Sequence, residues 1–335
     1  MKHPLLGALV ALSLAAPLMA QGPVALSKPA AAKATAPSNY KAPRTPDGQP
    51  SLEGFWNSAT YTPFERPANM KDKAFFTPEE AEAFVKTRQQ AFESQAPDDI
   101  HYDNAIWQSE RTNRGLQSLR TSLVVDPPDG HVPPQTDEAV KRNAAAQAAR
   151  RAMGGPYDKV QNRPLAERCI VWPHEGPPMQ PVGYFSNLQF VQGPGYVVVI
   201  QEMIHNARVI PLDDRPHPGP AVQQYYGDST GHWDGDTLVV ETTNFTDKTA
   251  FRGSSAALKV TERIRRTDAD TILYQATMED PHTWERPWTI EYQMTKTDDP
   301  IFEYACHEGN YGMRNIMSAV RKQEAEEAAA RSGSK

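Results

Sequence analysis

Cysteine is scarce: Cys169 and Cys306 are the only two in 335 residues, too few for zinc knuckles or Cys-x-x-Cys redox motifs. The histidines include no His-x-His and no His-Glu-x-x-His spacing. No recognised metal-ligand pattern is therefore present, and no metal or other cofactor is expected. A phosphate-binding glycine loop and a dinucleotide fingerprint are both missing, so nucleotide and nicotinamide chemistry lack their usual support. Clustered positive charge is missing too. With 35 basic against 41 acidic residues the formal net charge is −6, which argues against nucleic acid or an anionic membrane surface as partner, since both recruit dense Lys and Arg. Beyond the start of the chain no apolar run is long enough to span a bilayer.

That start is distinctive. Lys2 precedes an apolar stretch from Leu5 to Leu18 and the small residue Ala20, a pattern that predicts a secretory signal peptide over residues 1–20. The mature protein is then expected in a periplasm or outside the cell. Residues 21–45, rich in Ala, Pro, Lys and Ser, read as a disordered linker. The 30 prolines suit a chain of loops and extended segments better than a helical bundle. In an oxidising compartment Cys169 and Cys306 are expected to pair. The alternative is a nucleophilic or metal-binding Cys306 beside His307.

Residues 46–160 are expected to form a helical and extended region that packs on the main domain. In Phe76-Thr-Pro-Glu-Glu80, Thr77 is placed as a helix cap with Pro78 at the first helical position, and the helix should run to about Ser94. Ser118 to Val125 reads as a strand stopped by Asp126-Pro-Pro-Asp-Gly130. Thr136 to Met153 reads as an alanine-rich surface helix. Over residues 161–320 strand patterns dominate. Asn187–Gln192 and Tyr196–Gln201 flank the turn Gly193-Pro-Gly195, and Ala207–Leu212 follows. Thr237–Thr243, Leu258–Arg265 and Thr271–Met278 continue the series. In Arg286–Met294 the alternation places Trp288, Ile290, Tyr292 and Met294 on one face. Glu303-Tyr-Ala-Cys-His-Glu-Gly-Asn310 is expected to end the meander, and residues 321–335 to form a tail. The fold predicted is mainly β, an antiparallel up-and-down β-barrel, since closure removes exposed edges.

Several segments resemble known proteins. Gly54-Phe55-Trp56 resembles the Gly-x-Trp that opens lipocalin barrels. Pro46-Asp-Gly-Gln-Pro-Ser-Leu-Glu-Gly-Phe-Trp56, Arg120-Thr-Ser-Leu-Val-Val-Asp-Pro-Pro-Asp-Gly130, Glu167-Arg-Cys-Ile170, Gly227-Asp-Ser-Thr-Gly-His-Trp-Asp-Gly-Asp-Thr-Leu-Val-Val240 and Glu303–Asn310 together resemble a family of exported bacterial proteins of unassigned function. The resemblance implies the boundaries and the export, and no reaction.

For chemistry, the sharpest signal is a charge on an apolar face. Alternation in Leu258–Ile264 sets Glu262 beside Val260 and Ile264, pointing inward if they do. A carboxylate there is either paired, with Arg208 or Arg263, or held neutral as an acid-base group. His205 and His307 are the histidines proposed to share that catalytic role with Glu262. Arg208, His232, His282, Trp288, Tyr292, Tyr304 and Glu308 are the expected contacts of a small, largely apolar ligand in the cavity. Two functions follow: a ligand-binding barrel with cofactor-free acid-base chemistry, or a non-catalytic envelope or interaction protein. An enclosed cavity on which Glu262 and a histidine converge favours the first, and a barrel filled by its own aromatics favours the second.

Overall fold

The computed structural model describes residues 40–93, 115–172, 174–183 and 185–333. The expected signal peptide, nearly all of the linker, and Trp107, Arg111 and Arg114 lie outside the described residues. Ten strands form one antiparallel sheet: β1 Gly54–Asn57, β2 Val124–Asp126, β3 Asn187–Gly193, β4 Tyr196–Gln201, β5 Ala207–Pro211, β6 Asp228–Asp234, β7 Thr237–Thr243, β8 Lys259–Arg266, β9 Thr271–Glu279 and β10 Trp288–Lys296. Two consecutive meanders, β3 to β5 and β6 to β10, are joined by β1, which pairs with both β3 and β10. Turn chemistry sets the hairpins: Gly195 and Gly235 take positive φ between their strands, as the tight connections need.

The sheet curls but its ladder does not close. β5 and β6 are the two ends of the strand order, and they meet through side chains. A Cβ at Gly231 of β6 would lie 2.9 Å from Ile210 Cγ2 and 3.2 Å from Leu212 Cδ2, so side-chain packing occupies the seam where ladder bonds would run. Pro211 on β5 also lacks the N–H a ladder needs. The hydrogen-bonded barrel expected from sequence is therefore an open, curled sheet.

Its interior is filled. Trp56, Val197, Leu238, Ile264, Ile290 and Met294 all belong to one core cluster and are essentially inaccessible. The Trp56 indole donates to the Leu52 carbonyl at 2.9 Å, satisfying its one donor inside the core. The face predicted for β10 is the buried one: Trp288, Ile290, Tyr292 and Met294 are at most 4% exposed.

Helix α1, Pro78–Glu93, starts with a reciprocal cap. The Glu80 N–H donates to Thr77 Oγ1 at 3.3 Å and the Thr77 N–H to Glu80 Oε2 at 2.7 Å, which satisfies two donors that a helix start leaves open. Val85 and Ala81 of this helix pack with Tyr61, Phe76 and Leu116 in a satellite core. Helix α2, Asp137–Ala152, is capped by Thr136, whose hydroxyl accepts from the Ala139 N–H. Among the described residues between them only Val124–Asp126 is a strand; Arg120 makes an isolated bridge to Phe75. The expected strand from Ser118 is thus shortened. Residues 118–123 instead spend their bonds on the chain before α1, as in the Thr121 N–H donating to the Ala74 carbonyl.

The C-terminal end differs most. After Lys296, Thr297 Oγ1 accepts from the Asp299 N–H at 3.1 Å and donates to Asp299 Oδ2 at 3.0 Å. That local turn, followed by Pro300, takes the chain off the sheet. Glu303–Asn310 is consequently no strand, and Tyr311–Gly333 is a helix, α3, where a tail was expected. Cys169 and Cys306 form a disulfide with Cα atoms 5.7 Å apart, which removes the alternative of a reactive Cys306.

Candidate functional site

Glu262 faces the interior, as its alternation requires, between Val240 and Ala276 on the neighbouring strands. It is fully buried and fully paired. Arg208 reaches from β5 to bind it at both oxygens, Nη1 to Oε2 at 2.6 Å and Nη2 to Oε1 at 3.0 Å. Tyr274 donates to Oε1 at 2.8 Å. Burial alone would push the Arg208 guanidinium down, and the Glu262 carboxylate more than offsets it, leaving the group more firmly charged. Burial, reinforced by the same carboxylate, holds the Tyr274 and Tyr292 phenols well above their ordinary range. This is an ion pair in which each carboxylate oxygen has at least one partner.

The network instead holds a strap. Tyr274 Oη accepts from the Met179 N–H at 2.8 Å and Tyr292 Oη donates to the Met179 carbonyl at 3.2 Å. Both backbone groups of Met179 are thus fixed over the end of the filled interior, and its side chain is buried there. The strap, residues 169–182, is tied at its start by the disulfide.

The outer side of this strap forms one wall of a cleft of about 460 Å3, together with Tyr225, Tyr226 and the loop after β7. Trp172, Gly176 and Gln180 contribute from the strap, and Phe245, Lys248, Phe251 and Arg252 from the loop. The loop is anchored on every side. Asn244, at positive φ, donates its amide to the carbonyls of Pro218 and Val222 at 2.9 and 3.0 Å. Phe251 stacks on Trp288 with centroids 6.0 Å apart, and Arg252 lies over the Phe64 ring at 3.8 Å. Arg142 of α2 holds the Gly253 carbonyl at 3.0 Å. Asp280, nearly buried, accepts from Ser255 and Thr283 and fixes the end of the same loop.

One group in this region is chemically unusual. Glu175 is 3% exposed. Its Oε2 accepts from Tyr226 Oη at 3.1 Å, while its buried Oε1 has no hydrogen-bond partner. Burial pushes this carboxyl up to about 8, against a smaller opposing effect of the Tyr226 bond, so near neutral pH it is mostly an uncharged acid. Tyr226 also accepts from the Trp172 N–H at 3.1 Å, and burial raises its phenol in turn. The contact needs Gly176: a Cβ there would sit 2.2 Å from Tyr226 Cδ1.

The residues proposed from sequence do not converge. Glu262, Arg208 and Tyr292 meet around the strap anchor. Trp288 is core and backs the cleft through Phe251. The His205 side chain lies outside what the structure describes. His232 and His307 are exposed on separate elements, and His282 is exposed and pairs with Glu138 at 3.3 Å. Tyr304 and Glu308 line a more open recess beside the disulfide, which shares Trp172 with the cleft. Gly227-Asp-Ser-Thr-Gly231 has the spacing of a serine nucleophile elbow, yet it runs straight into β6. There Ser229 is buried against Thr242 at 2.9 Å, without the strand-to-helix turn that exposes such a nucleophile.

Among the described residues no group of three or more His, Cys, Asp or Glu could hold a metal ion, and no helix is long and apolar enough to cross a membrane. No family model and no curated protein matches the chain.

Proposed function

We propose that this is an exported protein that binds a small molecule in the cleft between the strap and the loop after β7, where the Glu175–Tyr226 pair supplies cofactor-free acid-base chemistry. The observation that carries the reading is the buried Glu175 carboxyl, one oxygen unpartnered and the other bonded to a tyrosine of the cleft wall. Burying a polar atom without a partner costs free energy, and such groups concentrate at functional sites. Near neutral pH the pair acts as an acid. In the step the bond between the two reverses: protonated Glu175 donates its proton to Tyr226 Oη as Tyr226 passes its phenolic proton to the ligand, and the carboxylate left behind is reprotonated from solvent. Proton-transfer reactions of the isomerase, cyclase, lyase or hydrolase type suit that pair.

The competing reading is a non-catalytic envelope or interaction protein. The sheet interior packed with its own apolar side chains and the pairing of Glu262 with Arg208 and Tyr274 favour it. The two separate by native mass spectrometry of the mature protein purified from its own host. A small molecule retained by the wild type and lost on Trp172→Ala supports the cleft. A mass showing only the polypeptide and its disulfide favours the competing reading.

A further inference from the structure

The cleft adjoins a second recess of about 400 Å3, and both are lined by Gln180 and Arg252. Lys248 lies in the first and Arg88, with His174, in the second. Among the described residues no Asp or Glu lines either recess. This is a concentration of one sign of charge in a chain whose net charge is −6. Exposed surface usually mixes the two signs. A walled cleft lined by one sign focuses its field on a ligand of the other.

The cations are also available. Lys248 and Arg88 make no side-chain hydrogen bond or ion pair among the described residues. Arg252 spends one donor on Glu65, at a loose 3.5 Å, and a guanidinium has five. Its backbone is held at φ 50°, a conformation uncommon for residues other than glycine, of the kind the surrounding structure must enforce. That conformation sets Arg252 at the junction of the two recesses. The neighbouring carboxyl, Glu175, adds no full negative charge near neutral pH. Trp172, Tyr226 and Phe251 provide flat apolar walls beside these cations.

We infer that the ligand of this cleft is a small aromatic carboxylate, its ring against Trp172 and Phe251 and its charge held by Arg252, with Lys248 as the second cation. Arginine suits this role because its planar fork matches a carboxylate with two parallel hydrogen bonds. The inference rests on the cleft being the binding site, and the test keeps the two apart. The probes are 2-naphthoate and its uncharged isostere 2-naphthamide, titrated calorimetrically at low salt into the full-length mature protein and three variants. The expected result is that the wild type binds naphthoate at least about tenfold more tightly than naphthamide, as a charge-assisted pair allows. Arg252→Met should bring that ratio to within about threefold, Lys248→Met should lower it less, and Trp172→Ala should weaken both probes alike. Unchanged melting temperatures show that the variants fold, and Lys248→Met, at an exposed position, keeps the test alive should Arg252→Met not. Equal binding of both probes, with both lost in Trp172→Ala, overturns the carboxylate and leaves the cleft standing. A naphthoate preference that survives both charge removals overturns the assignment to these residues. If neither probe binds, or Trp172→Ala changes nothing, the cleft reading fails and the inference falls with it.

Discussion

Glu262 and Glu175 both carry buried carboxyl groups, and they have opposite surroundings. Glu262 receives two bonds from Arg208 and one from Tyr274. Glu175 receives one, from Tyr226, and keeps an oxygen without a partner. Burial is the same and partnership differs. A charge on an apolar strand face therefore identifies where the fold is cross-braced, whereas the group poised to exchange a proton sits on a loop that the brace holds in place. The chain of contacts is direct: Arg208 fixes Glu262, Glu262 fixes Tyr274, and Tyr274 fixes Met179, four residues after Glu175.

This contrast can be broken at several points. The largest effect is expected on removing the disulfide. Cys169 and Cys306 are separated by 137 positions, so Cys169→Ser with Cys306→Ser should cost about 5 kcal/mol in the chain-entropy model, read as a lower urea midpoint. Next comes the brace. Arg208→Met leaves an uncompensated buried carboxylate and should cost about 3–5 kcal/mol, while the double variant Arg208→Met with Glu262→Met should recover much of that loss. A double variant as unstable as the single one would show that the pair is worth more than its burial cost. Gly176→Ala should displace Tyr226 from the strap, abolishing ligand retention at a stability cost of about 1–3 kcal/mol. The smallest effect belongs to the exposed histidines: His232→Ala and His307→Ala should each change stability by less than about 0.5 kcal/mol and leave ligand retention unchanged. A loss of binding in either would return the site to the residues first proposed.

Much of the frame is legible in the sequence because regular structure repeats. Alternation places Glu262 inward and the Trp288–Met294 face in the core. The cap residue Thr77 sets the start of α1, the alanine-rich run after Thr136 sets that of α2 to within a residue, and compartment logic pairs the cysteines. The ladder's failure to close was not legible, because it turns on how Ile210 and Leu212 seat against Gly231, contacts distant in sequence. Helix α3 did leave a signal: Ala, Glu, Lys and Arg, all good helix formers, dominate residues 319–331. The cleft left almost none. Trp172, Glu175 and Gly176 lie in a proline-rich run without any period, and Arg252 lies in an irregular loop. Their meeting is decided by tertiary anchors such as Tyr274 to Met179, which no local pattern encodes.

The most direct measurement is the stability of the wild type against Glu175→Gln by urea denaturation from pH 4 to 9. In the unfolded chain Glu175 ionises around its ordinary value of 4.5, and in the folded chain only around 8. Between those values the folded state holds the extra proton, so raising pH should destabilise the wild type relative to the variant, levelling off above about 8. A shift of that size corresponds to a relative loss of roughly 4–5 kcal/mol as an upper bound. Parallel curves for the two proteins across this window would mean that Glu175 ionises as an ordinary carboxylate, and the distinction between the two buried acids would be gone.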